Sequence, residues 1–93
     1  MAPEYRQRLV VSGMVQGVGF RFFTCRVATK YPLVGHVRNL PDGDVEVVAE
    51  GKKEVVRSFL DEVARGPSYS RVIGVKTFIE QPTGQYRSFG VKY

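Results

Sequence analysis

Two stretches of helical periodicity, set among stretches of strand periodicity, constrain this chain more than any other feature. From Phe20, apolar positions Phe23, Val27 and Tyr31 recur at helical spacing with Thr24 and Ala28 alongside, and Pro32 ends the run. Between Lys52 and Ala64, Val55, Val56, Phe59, Leu60 and Val63 make a second, broader apolar stripe that stops at Gly66-Pro67. Strand patterns fall at Tyr5 to Val15, Val34 to Asn39, Val45 to Glu50, Ser70 to Ile79 and Tyr86 to Val91. Leu40-Pro41-Asp42-Gly43-Asp44 reads as a hairpin connection, and Gln81-Pro82-Thr83-Gly84 as a turn. Each helix has one face to bury, and a chain of 93 residues offers both faces only one adequate partner, a shared sheet. The expected class is α/β in the α+β sense: a split βαβ sandwich, βαββαβ, with a short extra C-terminal strand and both helices on one sheet face.

The same length bounds what the fold can carry. Residues 1–93 are expected to form one continuous domain whose core is too small for a deep, enclosed cofactor cavity, so any site must come from the elements that build the fold. Fourteen Lys and Arg against nine Asp and Glu give a formal charge of +5, compatible with an anionic small molecule, nucleic acid or an acidic surface. The cations are scattered from Arg6 to Lys92, with only Lys52 and Lys53 adjacent, which describes a solvated basic surface rather than a nucleic-acid tail. Cys25 is the one cysteine, so an internal disulfide is excluded and a reducing, cytoplasmic setting is expected. No signal-type hydrophobic region follows the first residues, and no run approaches the roughly 18 apolar residues needed to span a bilayer, so a soluble, uncleaved protein without membrane contact is expected.

The segment richest in chemistry is Ser12-Gly13-Met14-Val15-Gln16-Gly17-Val18-Gly19-Phe20-Arg21, placed where the first strand gives way to the first helix. Glycines allow a tight connection with exposed backbone amides, and a helix N-terminus adds a field that favours an oxyanion. Arg21 can complete such a site with a bidentate guanidinium fork. The alternative is a simple tight turn with Arg21 facing solvent. A nucleoside-triphosphate loop is excluded because no Gly-Lys-Ser/Thr follows, and one strand-helix junction is no dinucleotide-binding domain.

With Gly35-His36-Val37-Arg38-Asn39 and Gly43-Asp44-Val45, the run Gly13 to Arg21 resembles the acylphosphatase family, and the order of elements agrees over nearly the whole chain. The resemblance implies a ferredoxin-like sandwich that hydrolyses the carboxyl-phosphate bond of acylphosphates to a carboxylate and inorganic phosphate, without metal or organic cofactor. It also implies that Arg21 binds phosphate, that Asn39 positions the attacking water, and that the amides of Gln16, Gly17, Val18, Gly19 and Phe20 surround the phosphate. The chemistry is consistent with those roles: a mixed anhydride has a carboxylate leaving group, so positioning and charge stabilisation can dominate over protonation. The partners expected are a small-molecule acylphosphate and inorganic phosphate, with no nucleic acid, the protein acting as a monomer.

His36 stands where the family usually has another aromatic residue, leaving packing at the sheet, exposure or an ionisable modifier as readings. Cys25 lies off the apolar helical face, with no neighbouring His to make it a nucleophile. Asp42, Asp44 and the pair Asp61-Glu62 read as surface or turn features rather than a metal cluster. The competing function is a noncatalytic basic RNA-binding or anion-binding module on the open sheet. Against it, Phe20, Phe22 and Phe23 fall at the loop and helix start instead of on the central strands.

Overall fold

The computed structural model describes residues 3–17 and 19–93. The elements run β1 (Tyr5–Met14), α1 (Phe20–Ala28), β2 (Val34–Asn39), β3 (Val45–Gly51), α2 (Lys53–Arg65), β4 (Arg71–Glu80) and β5 (Phe89–Val91). They build a five-stranded sheet in the order β4-β1-β3-β2-β5. Neighbours are antiparallel except β2 and β5, which run parallel. This is the expected split βαβ sandwich, ferredoxin-like, with the extra strand at one edge. Among the described residues no helix is long and apolar enough to cross a membrane.

Strand alternation sorts the two faces. Leu9, Val11, Val37, Val45, Val47 and Ala49 point into the core, where they meet Phe20 and Val27 of α1 and Val56, Phe59, Leu60 and Val63 of α2. Both helical stripes predicted from spacing are therefore the buried ones. α1 stops at Ala28, three residues before the predicted Tyr31. The residue preceding Pro32 is disfavoured in helical conformation, and the Thr29 hydroxyl donates to the Arg26 carbonyl at 2.7 Å to close the last turn. Tyr31 still reaches the core side, its ring edge-on to Phe59 with centroids 5.9 Å apart.

The predicted turn at Gln81 to Gly84 is a correction. β4 and β5 occupy opposite edges of the sheet, so the connection must travel the full width of one sheet end instead of reversing. Residues 81–86 accordingly carry no regular structure, and only Phe89–Val91 of the expected Tyr86 to Val91 strand pairs with β2. On the way, Thr83 donates its amide (3.0 Å) and hydroxyl (2.8 Å) to Glu50 Oε2, and the Gly84 amide donates to Oε1 at 3.0 Å.

At the other end of β1 the register against β4 shifts between Ser12 and Gly13. A Cβ on Gly13 would lie 2.1 Å from the Arg71 carbonyl oxygen, at a φ of +127°, so only glycine fits where the strand bends towards α1. That bend delivers the chain to the site.

Candidate active site

The loop after β1 turns on two left-handed glycines, Gly17 at φ 73° and Gly19 at φ 76°. Gly19 is the N-cap of α1, no side chain caps the first turn, and no acidic residue lies within it. The helix start therefore keeps its positive end for an anion. Arg21 follows within that first turn. From the opposite direction, β2 brings Asn39 to the same place at its last paired position, across from Val45.

Arg21 and Asn39 meet in a cleft of about 320 Å³, with Gly17, Gly19 and Phe20 on the loop side. Its floor is apolar: Val15 and Phe20 are each only 1% exposed. Two residues far apart in the chain, both singled out from the sequence, thus stand on one cleft. A larger hollow, about 620 Å³, opens beside Leu33, Glu50 and Tyr86 and contains neither residue. Its carboxylate already accepts from Arg6, Thr83 and Gly84, so it lacks a group free for chemistry.

Gln16 behaves differently from its neighbours. Its side-chain amide Nε2 donates to the Leu40 carbonyl at 2.8 Å and to the Asp44 carbonyl at 2.7 Å. Its side chain is a tie between the glycine loop and the β2–β3 turn that begins one residue after Asn39, and that side chain is no part of the cleft lining. Val18 lies outside the described residues. Sequence reasoning also missed Phe22, Cys25, Val91 and Tyr93, which line the cleft as well. Burial pushes the Cys25 thiol up from its ordinary value. The Arg21 guanidinium carbon lies 5.5 Å from the centre of the Tyr93 ring, a cation–π contact, and among the described residues Arg21 pairs with no carboxylate.

His36 takes the first of its three readings. It is buried on the sheet face away from the helices, between the Tyr86 hydroxyl (2.8 Å from Nδ1) and Glu46 Oε1 (2.9 Å from Nε2). A carboxylate only accepts, so Nε2 carries the proton and Nδ1 accepts from Tyr86. Burial pulls the imidazole below its ordinary value against the pull of Glu46, with Lys92 and Arg38 adding to the lowering. His36 is not among the residues lining the cleft.

A model of the acylphosphatase family matches residues 7–91. An acylphosphatase of Thermotoga petrophila is 45% identical over 86 residues, covering 92% of this chain and 94% of that one. The crystal structure of acylphosphatase from Bacillus subtilis superposes with a TM-score of 0.88 at 36% identity, over 96% of this chain and 99% of the other. An acylphosphatase structure from Coxiella burnetii gives 0.87 at 33%, over 97% and 94%. Fold, matched span and identity agree that the chain belongs to the acylphosphatase family and is an enzyme of acylphosphate hydrolysis.

Proposed function

We propose that Arg21 and Asn39 divide the work of this hydrolysis, with water attacking phosphorus directly. The amides of the loop from Gln16 to Phe20 and the guanidinium of Arg21 hold the phosphoryl oxygens and stabilise their charge as it redistributes. The amide of Asn39 orients the water through hydrogen bonds without ionising. The oxygen–phosphorus bond to the acyl group breaks, the carboxylate leaves with that electron pair, and a phosphoryl or departing carboxylate oxygen takes the water proton. No protein base and no metal is needed for that balance. What carries the reading is the convergence of Arg21 and Asn39 on one cleft beside two left-handed glycines.

An RNA-binding surface is the poorer reading because Arg6, Arg8 and Arg38 on the open sheet are each already paired with a carboxylate. The same view takes the enzyme as a cytoplasmic monomer, in keeping with its single thiol and its scattered cations.

Hydrolysis in 18O-labelled water tests the direction of attack: the label should enter inorganic phosphate, and label in the carboxylate would mean attack at the carbonyl carbon. In Asn39→Ala, kcat should fall about 100-fold while inhibition by inorganic phosphate changes little. A kcat near the parent value in a folded variant would remove Asn39 from the mechanism.

A further inference from the structure

We propose that Tyr69, in the connection from α2 to β4, is a positioning residue for phosphate binding. Its ring braces Gly19, the second left-handed glycine of the loop, from outside the cleft, so that the loop amides stay aimed at the phosphoryl group. The proposal deepens the reading given above and rests on its assignment of the phosphoryl group to the loop and Arg21.

The two left-handed glycines differ in their surroundings. Among the described residues, a Cβ on Gly17 would meet nothing within 4 Å, whereas one on Gly19 would lie 3.6 Å from the Tyr69 hydroxyl oxygen and 3.8 Å from its Cε2. The edge of the ring thus stands at ordinary contact distance on the side where Gly19 has no side chain. Gly19 lines the cleft and Tyr69 does not, so the ring approaches from outside it. The chain that presents the ring is itself fixed. Gly66 ends α2, and the Pro67 carbonyl then accepts from both the Ser70 amide at 3.0 Å and the Ser70 hydroxyl at 2.9 Å, closing a turn with Tyr69 at its third position. This turn sits on the start of α1, because a Cβ on Gly66 would come 3.4 Å from Phe20 Cε2, and Phe20 belongs to the core. The turn and the loop therefore share one buried support. Tyr69 itself is 60% exposed, so core packing does not account for a ring at this position.

A loop that binds an oxyanion through backbone amides works only while those amides converge on it. Glycine supplies the left-handed conformation but no side chain to hold it there, and its conformational freedom is lost on binding unless something has already removed it. At one end of the loop Gln16 supplies that restraint through the β2–β3 turn. At the other end stands Gly19, the N-cap of α1, and Tyr69 supplies the restraint there. Removing the ring frees this end, and the cost falls on phosphate affinity more than on the stability of the fold.

Titration with inorganic phosphate, followed by NMR at the Gly17 and Gly19 amides, reads affinity without turnover. In the parent both amides should shift. Tyr69→Ala should raise the phosphate Kd about five-fold and lower kcat/KM for acetyl phosphate by a comparable factor, with the melting temperature moving by only a few degrees. Tyr69→Phe keeps the ring and should return the Kd to within about two-fold of the parent. A parent-like Kd in folded Tyr69→Ala overturns the brace. A Kd that stays raised in Tyr69→Phe overturns it too, since the hydroxyl and not the ring would then carry the effect. The underlying assignment fails separately: it falls if phosphate leaves the Gly17 and Gly19 amides of the parent unmoved, or if Arg21→Ala leaves the Kd intact, whatever Tyr69 does.

Discussion

Arginine does opposite things on the two sides of this sheet. On the face away from the helices, Arg6 bridges Glu50 (2.9 Å) and Glu80 (2.8 Å), Arg8 bridges Glu46 (3.2 Å) and Glu80 (3.3 Å), and Arg38 joins Glu46 at 2.7 Å. These charges close on one another through neighbouring strands, because the register sets Arg6 between Glu50 and Glu80. In the cleft, Arg21 has an aromatic ring for company and no carboxylate among the described residues. The same side chain is tied into the fold where carboxylates take up its donors and is left without a carboxylate partner in the cleft. The count of carboxylates within reach, and not the residue type, decides which.

Exchanging one arginine from each side for alanine should therefore give crossed outcomes. Arg21→Ala should lower kcat/KM for an acylphosphate by at least about 100-fold and move the melting temperature by only a few degrees. Arg6→Ala strips a partner from Glu50, which is fully buried, and should cost about 3–5 kcal/mol of stability, while the folded fraction turns over at the parent rate. Urea unfolding and initial rates on the same samples read both axes. A large activity loss in folded Arg6→Ala, or a large stability loss in Arg21→Ala, breaks the contrast.

Gln16 tests whether the two halves of the site must be held at a fixed separation. Its single NH2 group binds the carbonyls of both Leu40 and Asp44, on either side of the turn that follows Asn39. In Gln16→Ala the loop and Asn39 can drift apart, and kcat should drop about 10- to 100-fold, since small misplacements of reacting groups are costly. Stability should fall by only about 1–2 kcal/mol. Gln16→Glu should fare no better, because a carboxylate cannot donate to two carbonyls. A kcat within about two-fold of the parent would show that the turn holds Asn39 without this tie.

How legible each part was follows from the kind of interaction. Elements with a one-sided apolar pattern were readable: Val56, Phe59, Leu60 and Val63 are the buried face of α2, as their spacing dictates. That Arg21 and Asn39 share a cleft was readable because residues at a strand-helix junction and at a strand end converge in this topology. The course of residues 81–86 was not, since their local composition suits a turn and only the sheet order forces a crossing. The side-chain tie made by Gln16 and the place of Phe22 and Tyr93 in the cleft were missed for a related reason. The use of a side chain depends on what lies across from it in space, and neither the Leu40 carbonyl nor the Arg21 guanidinium is a sequence neighbour of its partner. The pairing of Arg6 with Glu50 and Glu80 is hidden for the same cause.

The smallest effect concerns His36, which lies on the same face as these arginine–carboxylate pairs. Hydrogen bonds run in one direction there: Arg6 donates to the Tyr86 hydroxyl at 3.4 Å, Tyr86 donates to Nδ1, and Nε2 donates to Glu46, which also accepts from Arg38. Protonating Nδ1 sets a second donor against the Tyr86 hydroxyl proton, and burial opposes the charge as well, so the folded state holds His36 below its ordinary value. A group lowered in this way binds more protons when unfolded. Its stabilisation is complete above about pH 6.5 and is lost as pH falls through the lower folded value, at no more than about 1.4 kcal/mol per pH unit for one proton. Glu46 and Glu50 are also held below their ordinary values: burial raises each, but hydrogen bonds outweigh it, from His36 and Arg38 for Glu46 and from Arg6, Thr83 and Gly84 for Glu50. Their stabilisation is complete above the usual carboxylate range and is lost as pH falls below it, a separate and more acidic window. His36→Phe should lower stability at pH 7 by about 1 kcal/mol, flatten the slope just below about pH 6.5, and leave the acid limb in place. Urea melts across that range decide the point, and an identical slope in parent and variant would assign the titration to another group.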